Sequence, residues 1–253
     1  MFGCLSEKSP TFNQISNQPG LTRHLYQIGE TRGVIITDHP PSILVALDCI
    51  REQRRLLLEY IRANPDFEHS LEPVHVVDAP EVVLQMVQVS KLVGVGPMAA
   101  VAGVFADLAA ETMLKNNAKV AIVENGGEAV LYSDRPITVS VGAGNNPLSE
   151  RVGFKVSKFP CGVATSSGRH SHAFSMGDAD TVTVFAENAG LADAVATAAA
   201  NMVLGEPGFD VKAGVDAALV IEGVYGALAI RDDRVSTGGM LPKIVAVEAI
   251  FDE

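Results

Sequence analysis

The sequence predicts an α+β fold in which a few long helices pack on a mostly antiparallel sheet. Two observations carry this prediction: strand-forming runs outnumber helical segments, and the two kinds of element do not alternate strictly along the chain. With 253 residues, 47% of them apolar, the chain is large enough to bury a core without disulfide bonds. Neither a linker nor an internal repeat divides it, so we expect one domain over residues 21–253, preceded by a polar arm of low order over residues 1–20.

The first predicted elements are a hairpin and a helix. Strand-forming residues at 24–28 and 33–37 flank a polar turn, which predicts two paired strands. After Pro40, apolar residues recur at helical spacing as far as residue 63, and this spacing predicts an amphipathic helix that Pro65 ends. The chain is therefore expected to form part of the sheet before its first helix.

Two further helices are predicted in the next segment. Residues 64–79 are predicted as a loop with one short strand at 74–77, where apolar and polar residues alternate. Helical spacing then predicts helices at 80–92 and 98–115, and Gly94–Pro97 interrupt the chain between them. Small side chains along the third helix allow close approach of backbone or ligand, so we expect this helix to be central.

Strands dominate the second half of the chain. One helix is predicted there, at residues 190–203, after a polar loop at 166–177. Asn125–Glu128 is predicted as a tight turn between two strands. Apolar or alternating runs predict strands at residues 118–123, 129–132, 137–141, 151–157, 161–165, 181–186, 217–222, 224–230, 234–237 and 243–248.

Composition excludes several classes of function. The net charge is −11 and the densest basic run, Arg51–Arg55, also contains Glu52, so no basic patch is available to bind nucleic acid. Three cysteines without C-x-x-C spacing predict reduced thiols rather than a disulfide or zinc framework. The first twenty residues lack an apolar signal region, and no uninterrupted apolar run could cross a membrane. We therefore expect a cytoplasmic protein with no membrane partner, as a monomer or a homo-oligomer.

Asp193 and Thr197 form a candidate metal site. They are four residues apart on the predicted fourth helix, so the carboxylate and the hydroxyl share one face. Two hard oxygen donors at this spacing suit Mg²⁺, which takes few protein ligands and keeps waters or phosphate oxygens for the rest. The alternative is that Asp193 is only a first-turn carboxylate, stabilised by the dipole of its own helix. In that case the Thr197 hydroxyl merely donates a hydrogen bond back to a backbone carbonyl.

A polar segment after the predicted strand at 161–165 forms a candidate anion site. It joins hydroxyls, a guanidinium and two imidazoles: Thr165, Ser166, Ser167, Gly168, Arg169, His170, Ser171 and His172. Backbone N–H groups and Arg169 could bind a phosphate, and His170 and His172 could move protons or bind metal. The alternative is a solvated surface turn. The segment does not match G-x-S-x-G, which argues against a serine hydrolase.

Two glycine-containing turns are further candidates for ligand binding. Gly94 and Gly96 precede a helix as a phosphate-cradling turn would, although the G-x-G-x-x-G pattern is incomplete. Asn125, Gly126 and Gly127 follow a predicted strand and offer close backbone approach to a ligand. Close helix packing explains the first turn equally well, and a simple β-turn explains the second.

Taken in order, four of these segments resemble the ApbE-like family. The matching residues are Gly103–Asp107, Asn125–Gly127, Ala164–Gly168 and Ala192–Thr197, and the resemblance covers about residues 94–205. It implies a T-fold-related α+β domain that binds FAD, and its well-studied members transfer FMN from FAD to a threonine of a partner protein using Mg²⁺. It also implies that Asp193 and Thr197 are metal ligands, joined by a backbone carbonyl near Ala99 or Ala100.

The chain departs from this family in the groups that would carry out transfer. Ala102 stands where the family has a lysine, and only residues 169–178 separate Gly168 from the next strand, without the family's Asp-Pro and Thr-Gly elements. Transferases of the family are often exported lipoproteins, whereas no export signal is found here. His170 and His172 are the nearest substitutes for the family's histidine and are the candidate catalytic residues.

The prediction is therefore a site for a flavin or nucleotide with FAD and Mg²⁺ as cofactors, in which FMN transfer is doubtful. Whether the protein is an enzyme stays open at this stage. The alternatives are a non-catalytic binding module for a flavin or another phosphorylated ligand, and an auxiliary protein in sulfur or small-molecule metabolism.

Overall fold

An eight-stranded antiparallel sheet lies at the centre of the fold. The computed structural model describes residues 14–15, 18–140, 152–167, 179–204 and 210–246. The strands are β1 (Gln14–Ile15), β2 (Thr22–Ile28), β3 (Thr31–Thr37), β4 (Ala121–Asn125), β5 (Glu128–Tyr132), β6 (Ile137–Ser140), β7 (Val152–Val156), β8 (Cys161–Ser166), β9 (Thr181–Ala186), β10 (Val224–Arg231), β11 (Arg234–Gly239) and β12 (Lys243–Ala246). The large sheet has the order β11-β10-β9-β8-β5-β4-β3-β2, and a smaller sheet has the order β1-β6-β7-β12.

Helices cover the face of the large sheet opposite the small sheet. They are α1 (Pro41–Ala63), α2 (Asp66–His69), α3 (Glu81–Val93), α4 (Val101–Lys115), α5 (Ala189–Asn201) and α6 (Asp210–Leu219), and a 3-10 turn at Pro97–Ala100 leads into α4. Helices α1 and α4 share a core with β3, β4 and β5, while α5 and α6 share one with β8, β9 and β10. Helix α3 packs against α1, α4 and α5.

The second face of the large sheet is buried against the small sheet. Phe154 of β7 and Phe185 of β9 are fully buried there, with ring centroids 4.9 Å apart. Because both faces of the central strands are covered, those strands are apolar throughout rather than alternating, and β9 is buried along its whole length. This explains why short continuous apolar runs marked most of these strands in the sequence.

Most predicted elements are present, and every strand pairing among the described residues is antiparallel, in line with the predicted mostly antiparallel sheet. The strand predicted at 74–77 is wrong: Val74 and Val76 pack against the helical cluster as an extended segment without a partner strand. The strand predicted at 217–222 is also wrong, because its first residues complete α6. Val211, Val215 and Ala218 of α6 enter the core at helical spacing, which was the available signal. Helix α2 was missed as well.

The predicted N-terminal arm contributes at least one pairing. Gln14 and Ile15 form β1 and pair with Ser140 and Val139 of β6, while residues 1–13 and 16–17 lie outside the described residues. Among the described residues, the stretch Pro97–Lys115 is long and apolar enough to cross a membrane, but most of it is buried as the core helix α4 and its preceding turn.

Candidate functional site

One end of the large sheet carries a row of polar side chains beneath the helices. Their neighbours two positions along each strand pack into the cores under α4, α5 and α6, so strand alternation directs the row to the same face. We call this set the polar row: Asn125 of β4, Glu128 of β5, Ser166 of β8, Asp180 before β9 and Arg231 of β10. The strand ends, rather than any single loop, therefore place these side chains on one face at one end of the sheet.

Asp193 projects from α5 toward the start of α4. Its Oδ2 accepts a hydrogen bond of 3.0 Å from the backbone N–H of Gly103. Burial raises the pKa of Asp193 to about 7, against the lowering effect of backbone hydrogen bonds from Gly103 and Ala102. The first-turn N–H groups of α4 have no partner within their own helix, so Asp193 acts as a remote cap for α4. The carboxylate is thereby fixed in place at the first turn of α4.

Glu128 is a further acidic side chain of this site, and it was not among the site residues predicted from the sequence. Burial raises its pKa well above the ordinary value, and the negative charges of Asp193 and then Glu124 raise it further. It directly follows the predicted Asn-Gly-Gly turn, so its place in the motif was the available signal. Two half-buried carboxylates, of which Asp193 raises the pKa of Glu128, form a site that favours a proton or a cation.

Thr197 lies one helical turn after Asp193 and is also half-buried. Among the described residues no group of three or more His, Cys, Asp or Glu side chains is arranged to hold a metal. A carboxylate oxygen of Asp193, the carboxylate of Glu128 and the hydroxyl of Thr197 are nevertheless hard donors of the kind that Mg²⁺ takes when waters and phosphate oxygens complete its shell. The donor chemistry therefore fits Mg²⁺ and does not fit a metal that requires an all-protein cage.

Asp107 closes the N-terminus of α5. Its Oδ1 accepts from the N–H of Ala189 at 2.9 Å and its Oδ2 accepts from the N–H of Gly190 at 2.8 Å. The side chain of Asn188 accepts from the N–H of Leu191 at 2.8 Å. Burial raises the pKa of Asp107 to about 7 despite these bonds. Because the first N–H groups of α5 already donate to Asp107 and Asn188, the N-terminus of α5 is not a vacant anion site.

The Gly126–Gly127 turn joins β4 to β5 as the predicted tight turn. Asn125 pairs with Glu128 across it, and both glycines have positive φ, 75° and 121°. The N–H of Gly126 donates to the carbonyl of Arg32 at 3.1 Å, and that of Gly127 donates to Oε1 of Glu124 at 2.8 Å. A ligand would therefore meet a backbone without side chains here, rather than free N–H donors.

Asn125 ties this turn to α4. Its Nδ2 donates to the carbonyl of Ala102 at 3.0 Å, and the residue is buried. Ala102 is the residue that replaces a lysine in the resemblance to the ApbE-like family. The Gly126–Gly127 turn therefore contacts α4 at that residue. Asn125 and Asp193 thus both bind the first turn of α4. Asn125 donates to the carbonyl of Ala102, and Asp193 accepts from the N–H of Gly103.

The hydroxyl residues at the end of β8 point to opposite faces of the sheet. Ser166 belongs to the polar row, is 6% exposed, and its Oγ has no hydrogen-bond partner within the part of the chain that the structure describes. Thr165 faces the small sheet, where its Oγ1 lies 3.0 Å from Oγ1 of Thr183. Ser167 follows the strand and is buried. Of these three predicted residues, Ser166 therefore shares a face with Asn125 and Glu128, and Thr165 does not.

Gly94 and Gly96 have structural roles that need no ligand. Gly94 ends α3 in the left-handed conformation with φ 82°, and its N–H donates to the carbonyl of Ser90 at 2.8 Å. A Cβ on Gly96 would lie 1.8 Å from the carbonyl oxygen of Ser70, so the two backbones touch. Close packing therefore accounts for Gly96, and the left-handed end of α3 accounts for Gly94; ligand contact at this turn stays a prediction.

Four predicted site residues, Gly168, Arg169, His170 and His172, lie outside the described residues. They follow directly on Ser167, whose strand ends in the polar row. Their assignment as phosphate-binding and catalytic residues stays a prediction.

Comparison with known proteins relates this chain to one family and one fold. The family model described as AbpE bacteria matches residues 18–217. The UPF0280 protein of Methanococcus vannielii is 39% identical over 226 residues, covering 87% of this chain and 92% of the relative. The UPF0280 protein of Methanosarcina acetivorans is 39% identical over 227 residues, covering 88% of each chain. Among solved structures, the ApbE protein of Thermotoga maritima has a TM-score of 0.52 and 13% identity, covering 90% of this chain and 97% of that one. The α+β fold class predicted from the sequence is thereby confirmed.

Proposed function

From the premise that this chain belongs to the family described as AbpE bacteria, the ApbE-like family that its motifs resemble, we propose that the protein binds a flavin nucleotide together with a divalent cation. The proposed site lies between the first turn of α4, the face of α5 that carries Asp193 and Thr197, and the polar row. FAD is the proposed nucleotide and Mg²⁺ the proposed cation.

The pairing of Asp193 with Glu128 carries this proposal. The charged groups that act on these two carboxylates, among the described residues, are themselves carboxylates: Asp107, Glu124 and the two partners. Ionising both members of a half-buried carboxylate pair costs free energy, and a divalent cation between the pair and a phosphate would remove that cost. Phosphate binding at this acidic place is therefore expected to require the cation.

Each residue of the site has a separate task in this proposal. Asp193 and Thr197 would hold Mg²⁺, which would supply positive charge beside the pyrophosphate of the nucleotide. Ser166, whose buried hydroxyl has no partner among the described residues, would donate to a ligand oxygen. The side-chain-free Gly126–Gly127 turn would allow the ligand to lie close to the backbone.

We further propose that binding proceeds without efficient FMN transfer. Ala102 places a methyl group where the family has a lysine, and the segment after Gly168 is too short for the family's closing loop. The lysine and the closing loop would position the reactants and stabilise charge, and group transfer depends most on these two effects. Any residual proton transfer would fall to His170 and His172.

The test is a titration of the protein with FAD, with and without Mg²⁺, followed by flavin fluorescence. We expect tight binding only with Mg²⁺, and weaker binding in Thr197→Val. Thr112→Val is the matched control, because Thr112 is also a helical threonine but its Oγ1 donates to the carbonyl of Leu108 at 2.8 Å.

The outcomes separate the alternatives. Equal FAD affinity with and without Mg²⁺ would contradict the cation site, and saturation by ADP but not FMN would favour a binding module for a different phosphorylated ligand. Binding of neither nucleotide would contradict the proposal as a whole.

A further inference from the structure

The N-terminus of α5 is held by a residue of another helix. Asp107, in the second turn of α4, is 8% exposed and accepts hydrogen bonds from two consecutive N–H groups of α5. A capping side chain usually belongs to the residue just before the helix, and Asn188 already fills that position. Asp107 therefore adds a second attachment, which fixes α5 to α4 rather than merely ending the helix.

Glycines set the distance between the two helices at the same place. A Cβ on Gly103 would lie 2.2 Å from the carbonyl oxygen of Ala189, and a Cβ on Gly190 would lie 2.8 Å from Cγ2 of Val104. The helices thus touch backbone to backbone beside the bonds of Asp107. Together the close contact and the two hydrogen bonds leave α5 little freedom to rotate or slide.

The residues of the proposed cation site follow this anchor on the same helix. Asp193 comes three residues after Gly190 and Thr197 comes one turn later, so a shift at the first turn of α5 is carried to both side chains. We propose that Asp107 is a positioning residue that holds Asp193 and Thr197 in the geometry needed for a divalent cation. This inference rests on the proposed function and adds a residue to it.

A residue that only supports the fold would lower stability without a selective effect on the cation. The structure offers a matched control for this distinction. Asp38 also accepts two consecutive backbone N–H groups, those of Lys119 at 3.0 Å and Val120 at 2.9 Å, but at the opposite end of the large sheet. Asparagine at position 107 keeps one accepting oxygen and turns an NH₂ group toward the other backbone N–H, so one of the two bonds to α5 is lost. Both bonds to Asp38 end on Oδ1, which asparagine keeps, so Asp38→Asn removes a carboxylate charge away from the helix that carries the site.

The experiment compares Asp107→Asn with Asp38→Asn in the full-length protein. Mg²⁺ affinity is measured by calorimetry in the presence of saturating FAD, and amide hydrogen exchange of the first turn of α5 is measured alongside. For Asp107→Asn we expect Mg²⁺ affinity to fall about 10-fold to 100-fold, the effect typical of residues that orient metal ligands. Exchange at 189–193 should also accelerate, while Asp38→Asn should keep the parent's affinity.

Each result decides the matter. A folded Asp107→Asn protein with the parent's Mg²⁺ affinity would overturn the inference alone, and a parent that shows no Mg²⁺ dependence would overturn the proposed function and this inference with it. If Asp107→Asn does not fold, Gly190→Ala provides the second variant, because its Cβ would press on Val104 and lie 3.3 Å from Oδ2 of Asp107 while keeping the carboxylate. Gly190→Ala with unchanged Mg²⁺ affinity would then overturn the inference.

Discussion

Asp107 and Asp193 cap each other's helices: Asp107 of α4 accepts from the first N–H groups of α5, and Asp193 of α5 accepts from the N–H of Gly103 in the first turn of α4. The two helices cross where glycines allow backbone contact, so each carboxylate is buried at the end of the opposite helix. This reciprocity joins the Gly-x-x-x-Asp segment and the Ala-Asp-Ala-x-Ala-Thr segment into one structural unit. Substitution of either aspartate should therefore alter the position of the other.

Asp193→Ala should weaken Mg²⁺-dependent FAD binding and also lower stability. Removal of a carboxylate that bridges cation and phosphate is expected to cost about 2 kcal/mol or more of ligand affinity. Loss of the α4 cap should lower the free energy of unfolding by about 0.5–2 kcal/mol. Calorimetric titration with FAD at saturating Mg²⁺ and urea unfolding measure the two effects.

Thr197→Val is the companion variant for Asp193→Ala, because Thr197 belongs to the proposed cation site but caps no helix in the described residues. It should lose cation-linked affinity with little change in unfolding. Parent-like affinity in both variants would exclude the metal site at this face of α5.

The two roles of Asp193 illustrate how far the sequence could lead. The i, i+4 spacing with Thr197 predicted a shared face, and the structure places both on α5 beside the polar row. The sequence could not indicate that the carboxylate also caps α4, because the two helices are about ninety residues apart in the chain and only the fold brings them together. From the sequence alone, Asp193→Ala would affect only the metal site; the hydrogen bond to Gly103 adds an expected loss of stability.

The stability of this protein should fall as pH rises through neutrality. Burial raises the pKa of Glu124 from 4.5 to about 8 and the pKa of both Asp107 and Asp193 to about 7. Between their unfolded and folded pKa values these three groups bind more protons in the folded protein, so their contribution to the free energy of unfolding is largest below about pH 4 and is lost as pH rises to about 8. Each group contributes a slope of at most about 1.4 kcal/mol per pH unit.

Glu124→Gln isolates one of these groups. The amide oxygen of the new side chain can still accept from the N–H of Gly127, so the turn should persist while the slope of unfolding free energy between pH 5 and pH 8 becomes smaller. Glu52→Gln is the control, because Glu52 is exposed and its pKa is lowered by Arg55. A slope that stays the same in Glu124→Gln would show that Glu124 does not retain a proton in the folded protein.

Replacing both His170 and His172 with Asn tests the polar segment after β8. Neutral imidazoles near pH 7 can transfer protons, and these two follow directly on a strand whose last residue, Ser166, lies in the polar row. We expect any turnover of the bound nucleotide to decrease in the double variant while the melting temperature stays the same. The rate of AMP release from FAD, measured by chromatography, gives the comparison; an unchanged rate would assign the segment a structural role only.

Much of the candidate site was accessible from residue types, and the missing part depended on long-range contacts. The tight turn at Gly126–Gly127 followed from glycines between two apolar runs. That its N–H groups are already used by Arg32 and Glu124 could not be predicted, because the partners belong to another strand and to a buried side chain. Helix α6 was missed since the apolar run at its end also satisfies a strand pattern, and only Val211 and Val215 reveal the helical period.

The last prediction concerns the chemistry: the protein should bind FAD without efficient transfer of FMN to a threonine of a partner domain. A transferase must hold the pyrophosphate, neutralise the leaving group and orient the acceptor hydroxyl. Asp193 and Thr197 can serve the first of these tasks, but Ala102 supplies no cation. The carbonyl of Ala102 is instead bound by Asn125, so this turn of α4 is closed by a neutral contact.

The measurement is incubation of the protein with FAD, Mg²⁺ and an acceptor domain of a known flavin transferase, followed by mass spectrometry of the acceptor and quantification of AMP. An active transferase of the family serves as the positive control. We expect bound FAD, an acceptor of unchanged mass and no stoichiometric AMP, because groups that bind the nucleotide are retained and groups that position the acceptor are missing. Complete flavinylation within minutes would show that the lysine and the long loop are dispensable in this chain, and that the residues after Gly168 supply the missing contacts.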